Sequence, residues 1–292
     1  MTPSKEGLRH SKNMGKKNKK PRPLPTSLNL PCTGVETHAH LDLKPLVQEV
    51  GEVIQRARQA GVAQIGQVFL GPDSYEQSAS LFADHDQVFF LLGVHPHEGS
   101  SVDQDVLERM HNAFLRDSRL KGLGEIGLDF YWDHSPHNDQ KQAFREQLAL
   151  AKEIDLPVII HSRDATQETL DILDEMEFKD RPLLWHCFGG DRALTEIVLA
   201  KGWHISIPGT VTYPKNTALR EAIPMIPLER MVLETDCPYL APEPYRGKTN
   251  EPALMAFTAA ETAKLIGVEP EELWTQCGKS AREFFGLEDL SG

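Results

Sequence analysis

Short apolar runs recur along the chain from Gly34 onward, and amphipathic stretches separate one run from the next. Runs of this length predict buried strands, and the stretches between them, with apolar residues at helical spacing, predict helices. Alternation of the two is typical of right-handed βαβ units around a parallel sheet. Eight strands are predicted, at residues 35–37, 64–70, 88–94, 122–126, 157–161, 183–186, 204–207 and 231–235.

The intervening helices are clearest at residues 46–60, 140–153, 166–176 and 192–201. A closing helix is predicted over 269–285, with Pro270 in its first turn. Eight such units favour an α/β fold of the (β/α)8 TIM-barrel type, which takes about 250 residues. The alternative is a doubly wound open sheet, which would bind ligands at a single switch point instead of around a ring.

The first part of the chain has a different composition. Residues 1–22 contain eight Lys or Arg and one acid, Glu6; subtracting this +7 from the net charge of −12 leaves −19 for the remainder. A basic, proline-rich, apolar-poor segment buries too little surface to fold. Residues 1–31 are therefore predicted to be a disordered tail and residues 32–292 a barrel hydrolase domain. The tail could tether nucleic acid or simply be solvated.

The four cysteines are scattered without any C-x-x-C spacing, which favours reduced thiols over a disulfide framework. No apolar run approaches the ~20 residues of a membrane span, and no signal-peptide core is visible. These features predict a cytoplasmic protein that does not associate with membranes.

Six potential metal ligands follow or close the predicted strands. Strand side chains alternate with period two, so the two imidazoles of a His-x-His sequence point the same way. The carboxyl ends of parallel barrel strands meet at one face, so ligands distant in sequence converge there. Each residue alone is more often a core or capping residue, but the joint pattern indicates a metal site. The six are His38, His40, Glu125, His161, His186 and Asp236.

Barrel closure suggests how these ligands divide. Asp236, on the last strand, lies beside the first strand and could complete a site with His38 and His40. His161 and His186 could hold a second ion, and the two oxygens of Glu125 could bridge both. Two ions at ~3.5–4 Å activate a water molecule and stabilise the oxygens of an in-line displacement. The pattern therefore predicts a two-metal hydrolase.

Seven motifs stand in order along the chain, and with them residues 34–285 resemble the TatD family of metal-dependent deoxyribonucleases. The resemblance implies a β/α barrel, a divalent-metal centre and phosphodiester hydrolysis, often as a 3′ to 5′ exonuclease on DNA. The chain departs from the family at Glu36, where Asp is more common, and in its basic tail. The motifs are ETHAHLD (36–42), GVHPH (93–97), GEIGLDFY (124–131), HSRDA (161–165), HCFGG (186–190), ETDCPYLAP (234–242) and YRGKTNEP (245–252).

The resemblance also implies roles for individual residues. The six residues above become the ligands, with Asp236 and Glu125 in catalysis and Asp236 as the general base. The partner implied is DNA, single-stranded or at its 3′ end, and no protein partner is indicated. Candidates for holding the phosphate or the DNA end are His95, Arg163, Arg246 and Lys248. Arg163 could instead form an ion pair with Asp164, and the loop cations could simply be solvated.

Three aromatic residues, Phe130, Tyr131 and Trp132, follow Glu125 in a loop. They could stack on a terminal base or cover the rim of the barrel. RNA also remains open as a substrate, because recognition of a 2′-hydroxyl cannot be read from the sequence.

The sequence leaves open which two divalent ions are bound and which class of reaction is catalysed. Four imidazoles and two carboxylates suit Zn²⁺, Mn²⁺ or Ni²⁺, whereas the resemblance points to Mg²⁺. The main competing function is a barrel amidohydrolase acting on a lactone, cyclic amide or phosphotriester. Such enzymes typically carry a carboxylated Lys at the bridging strand, where this chain has Glu125. A third possibility is a binding module that kept the barrel and lost the chemistry.

Overall fold

The computed structural model describes residues 21–288, which contain a closed barrel of parallel strands in sequence order. The last strand pairs with the first through Leu233 and Glu36. This confirms the predicted (β/α)8 barrel and excludes the open sheet. The strands are β1 (Gly34–Ala39), β2 (Val62–Leu70), β3 (Val88–Gly93), β4 (Leu120–Asp129), β5 (Val158–Arg163), β6 (Leu183–Trp185), β7 (His204–Ile207) and β8 (Met231–Leu233).

Helices surround the barrel, and two of them begin at an aspartate cap. The Asp103 carboxylate accepts the Val106 N–H at the start of α3, and Asp191 does the same for α6. Within residues 21–288 no helix has both the length and the apolar character to cross a membrane. The helices are α1 (Val50–Gln59), α2 (Pro72–Ser78), α3 (Gln104–Arg116), α4 (His137–Ile154), α5 (Thr166–Glu175), α6 (Arg192–Ala200), α7 (Thr217–Ala222), α8 (Met255–Ile266) and α9 (Pro270–Phe285).

The last helix, α9, closes one end of the barrel. Buried side chains from six strands, among them Val35, Leu91 and Ile159, form one cluster with Phe285 of α9. Strands that are not neighbours can share such a cluster only through the barrel interior. His204, the first residue of β7, packs on Phe284. The covered end is therefore the end where strands begin, and the carboxyl ends of the strands stay open.

β4 extends further at its carboxyl end than the sequence predicted. β4 continues through Leu128 to Asp129, so Glu125 lies inside the strand and not near its end. The extension arises because Asp129 pairs with Arg163 of β5, which also runs two residues beyond its predicted end.

The predicted tail differs from the structure where the two can be compared. Residues 1–20 lie outside the described residues. Residues 22–31, here called the N-terminal strap, have a defined path with a 3-10 turn at Pro25–Leu28. Arg22 Nε donates to Pro244 O at 2.7 Å, and Tyr245 Oη donates to Pro23 O at 3.0 Å. The prediction of disorder was wrong for this stretch because its partners lie in a distant loop that composition does not reveal.

The partly buried imidazole of His204 predicts an acid-sensitive fold. Its Nδ1 has no hydrogen-bond partner, and burial lowers its pKa from 6.5 to about 4. Between those pH values the unfolded chain binds a proton that the folded chain does not, so stability falls as the pH falls.

Between pH 6.5 and 4 we expect the free energy of unfolding to fall more in the wild type than in His204→Gln. The difference should be on the order of 2 kcal/mol. Urea unfolding at several pH values measures this difference, with His85→Gln in the turn before β3 as the control. Parallel stability curves for wild type and His204→Gln would contradict the assignment.

Candidate metal centre

At the open end of the barrel the carboxylate of Glu125 faces a ring of imidazoles. Glu125 is 4% exposed, and the imidazoles reach it from β1, from β5, and from the residues that follow β3 and β6. From its Oε1, His38 Nε2 is 3.4 Å and His40 Nε2 is 3.5 Å away; from its Oε2, His161 Nδ1 is 3.1 Å, His186 Nε2 is 3.5 Å and His95 Nε2 is 3.9 Å away.

Asp236 joins this group beside His40, whose Nε2 lies 3.6 Å from Asp236 Oδ1. The segment after β8 continues to pair with β1: Asp236 N–H donates to His38 O at 3.0 Å, and His40 N–H donates to Cys237 O at 2.9 Å. Asp236 has a positive φ of 57°, which turns the chain at this point. Closure of the barrel therefore places Asp236 next to His38 and His40, as expected from the sequence.

Several nitrogen atoms in this ring lack a partner. Both ring nitrogens of His38 and Nδ1 of His40 are buried without a hydrogen bond. Buried polar atoms without hydrogen bonds are costly, and His38 Nε2 is one that faces Glu125, where a bound ligand could satisfy it. Candidate ligand atoms of His38, His40 and Glu125 lie within 4.8 Å of one another, as do those of His95, Glu125 and His161. This set of nitrogen and carboxylate donors fits a divalent metal ion.

Two further carboxylates form hydrogen bonds with candidate ligand imidazoles on the side away from Glu125. Asp129 Oδ2 lies 3.1 Å from His161 Nε2, and Glu234 Oε2 lies 2.9 Å from His186 Nδ1. Each imidazole thus directs its other nitrogen toward Glu125, the arrangement by which carboxylates orient metal-binding histidines. Neither residue was predicted from the sequence. The spacing was an available signal for Asp129. It follows Glu125 by four residues, and residues an even number apart on a strand point to the same side.

Asp129 also fixes the loop that follows β4. Its Oδ1 accepts the backbone N–H groups of Tyr131 at 3.0 Å and Trp132 at 3.1 Å. Its own backbone N–H and C=O are bound by the Gln140 side chain. One carboxylate therefore positions both an imidazole of the centre and the aromatic loop beside it.

The charges in the centre are strongly coupled. Burial alone would raise the pKa of Glu125, but His95, His38 and His186 hold it well below its usual value. Burial would lower the pKa of His40, yet Asp236 and Glu125 outweigh it and raise that pKa to about 10. Without a cation, protons on imidazoles therefore balance the buried carboxylates. Metal binding would release these protons.

Glu36, where the family more often has Asp, lies behind this ring. Its Oε1 accepts the N–H groups of His38 at 2.9 Å and Thr235 at 3.0 Å, and burial raises its pKa to about 8. It thereby ties β1 to the segment after β8. Although Glu36 has a longer side chain than the Asp common in the family, it still joins β1 to the segment after β8, and both carry predicted ligands.

The four predicted substrate contacts are placed differently. His95 lies in the ring around Glu125. Arg163 is exposed at the end of β5, where its guanidinium carbon lies 3.9 Å from the centroid of the Tyr131 ring. Among the described residues it makes no ion pair with Asp164. Arg246 and Lys248 are exposed in the loop after β8, and Arg246 packs over Tyr213 at 4.2 Å.

A closed β/α barrel with imidazoles and carboxylates gathered at its open end defines the class of barrel metallohydrolases. Residues 35–286 match the family described as TatD related DNase. The chain belongs to this family and is a TatD-type hydrolase, which confirms the resemblance read from its motifs.

Individual relatives agree with this assignment. The chain is 33% identical over 252 residues to an uncharacterized metal-dependent hydrolase, YabD, of Bacillus subtilis, covering 86% of this chain and 98% of the relative. It is 38% identical over 248 residues to a Klebsiella pneumoniae protein named 3′-5′ ssDNA/RNA exonuclease TatD, covering 82% and 93%. The crystal structure of YjjV, a TatD homologue from Escherichia coli K12, superposes with a TM-score of 0.82 at 29% identity, covering 88% and 99%.

The carboxylates behind the ring generate a prediction about metal affinity. Asp129→Asn keeps the size of the side chain but removes the charge that orients His161. We expect metal binding to weaken by roughly 10- to 100-fold, since such supporting carboxylates typically contribute that much. Calorimetric titration of metal-free protein with Zn²⁺ or Mn²⁺ measures the effect. Asp139→Asn, whose carboxylate contacts Ser100, is the control, and equal affinities in all three proteins would contradict the role of Asp129.

Proposed function

We propose that this chain is a metal-dependent phosphodiesterase that removes nucleotides from the 3′ end of single-stranded DNA, using two divalent ions. The observation that carries the proposal is the division of imidazoles between the two oxygens of Glu125. His38 and His40 approach Oε1, whereas His161 and His186 approach Oε2. A bridging carboxylate with separate nitrogen donors on each oxygen suits two ions and not one.

In this proposal His38, His40 and Asp236 would hold one ion, His161 and His186 would hold the other, and Glu125 would contribute an oxygen to each. Two divalent ions would neutralise the phosphodiester oxygens and acidify a water molecule. Asp236 accepts the proton of the attacking water. Burial would raise the pKa of Asp236, but His40, His186 and His38 lower it, so the carboxylate is ionised and able to act as a base.

His95 is suited to hold a phosphate oxygen. Its Nδ1 accepts the His97 N–H at 3.1 Å, which leaves Nε2 as the N–H donor on the side of Glu125. Burial lowers the pKa of His95 to about 3, so the imidazole is neutral. Arg163, Arg246 and Lys248 supply positive charge around the opening, and the guanidinium of Arg163 matches the geometry of a phosphate.

The working ion and the polymer are the finer parts of the proposal. The imidazole-rich donor set favours Zn²⁺, Mn²⁺ or Ni²⁺ as bound ions, and the family favours Mg²⁺ in turnover. DNA is proposed from the family description, and the name of the Klebsiella relative extends the candidates to RNA. A cytoplasmic location and a basic tail over residues 1–20 belong to the same proposal.

A barrel amidohydrolase acting on a lactone, cyclic amide or phosphotriester is the competing function. Enzymes of that kind typically bridge their metals with a carboxylated Lys. Glu125 occupies the bridging position here, so the site favours the phosphodiesterase.

The proposal is tested by returning single metals to metal-stripped protein. With 5′-labelled single-stranded DNA and Mg²⁺, Mn²⁺ or Zn²⁺, we expect a ladder that shortens from the 3′ end. The most effective ion identifies the working metal. Absence of cleavage with every ion, in protein that binds metal by calorimetry, would overturn the proposal in favour of lactone or phosphotriester substrates.

The site assignment is tested by His161→Ala and Asp236→Ala. Both side chains lie at the open end of the barrel, outside the apolar clusters, so we expect folded variants that have lost most turnover. Circular dichroism and thermal melting check the fold, and His111→Ala on α3 is the matched control. Full activity in a folded variant would remove that residue from the site.

A further inference from the structure

The loop after β4 presents two large aromatic side chains to solvent beside the metal centre. Tyr131 is 54% exposed and Trp132 is 47% exposed. Phe130 differs, because it stacks on His137 with centroids 3.8 Å apart and packs against the core. Of the two roles open for these three residues, Phe130 covers the rim, whereas the other two rings remain available to a ligand.

Hydrogen bonds fix this exposed pair relative to the centre. The N–H groups of both Tyr131 and Trp132 are bound by Asp129 Oδ1, while Asp129 Oδ2 contacts His161 Nε2. The backbone that carries the two rings is therefore held at a set position relative to the imidazole.

Arg163 adds positive charge to the same surface. It follows His161 by two residues on β5, so both side chains leave the strand on the same side. Its guanidinium carbon lies 3.9 Å from the Tyr131 ring centroid and 5.9 Å from that of Trp132. The result is a cationic group packed against two partly open rings, next to the centre.

We propose that Tyr131, Trp132 and Arg163 form a stacking site for the base at the 3′ end of the substrate strand. This inference rests on the proposed function and deepens it. Rings of this kind stack on any base, and an arginine among them attracts the phosphate backbone. The last base of a duplex is held by its pairing and by stacking on its inner neighbour, so a site that takes up this base favours unpaired ends and selects single strands.

The position of the tryptophans allows binding to be measured without turnover. The chain has four Trp; Trp185, Trp203 and Trp274 are at most 2% exposed, and Trp132 is the accessible one. Titration of metal-free protein in EDTA with a short oligothymidylate should quench the fluorescence of Trp132. In Trp132→Phe the remaining emission should not respond. Absence of quenching in the wild type at saturating oligonucleotide would overturn the stacking site.

Kinetics separate stacking on the base from general damage to the loop. Two oligonucleotides are compared, one with an ordinary 3′-terminal nucleotide and one whose last nucleotide carries no base. Tyr131→Leu and Trp132→Leu should raise KM for the first by at least about fivefold, which corresponds to loss of one stacked base. KM for the second should match that of wild type. Trp132→Phe should restore KM, and Leu115→Ala, exposed on α3, should leave both values unchanged.

Each outcome has a distinct meaning. An equal rise in KM for both oligonucleotides would overturn base stacking, since the loss would then be independent of the base. No cleavage by the wild type with any metal would instead overturn the proposed function. Quenching of Trp132 in EDTA would still support the stacking site in that case, so the two failures can be told apart.

Discussion

The buried carboxylate of Glu125 is the group on which the rest of this molecule depends. An isolated carboxylate in a barrel interior would be strongly destabilising without compensating partners. Here compensation comes from imidazoles carried by or following four different strands, β1, β3, β5 and β6. Those strands reach a common point only because the sheet closes on itself. The charge of Glu125 can therefore be compensated only when the barrel is closed. Bound divalent ions would complete this compensation.

The sequence predicted the architecture well because the signals for it are local. Apolar runs and helical spacing located all eight strands, with ends misplaced by a few residues. Asp129 and Glu234 were missed for a different reason: a carboxylate near a strand end usually caps a helix or forms an ion pair. Only the register of β4 against β5, which pairs Gly127 with His161, brings Asp129 beside that imidazole. The ordered path of the N-terminal strap was not predicted because its hydrogen-bond partners, Pro244 and Tyr245, are distant in the sequence.

Asp129 also connects two functions that would otherwise be separate. One of its oxygens orients an imidazole of the centre, and the other holds the loop of Tyr131 and Trp132. The candidate metal centre and the proposed stacking site thus share one element, the end of β4. A site arranged in this way holds its geometry before substrate arrives, which lowers the cost of ordering it on binding.

The N-terminal strap holds the loop that follows β8. It binds Pro244 and Tyr245, immediately before Arg246, although the bonded residues are 222 positions apart in the chain. A proteolytic cut after the strap, or a bulky domain fused ahead of it, would loosen this loop first and leave the ring around Glu125 in place. Changes in the N-terminal strap would therefore alter the loop at Pro244 and Tyr245 without substituting any candidate metal ligand.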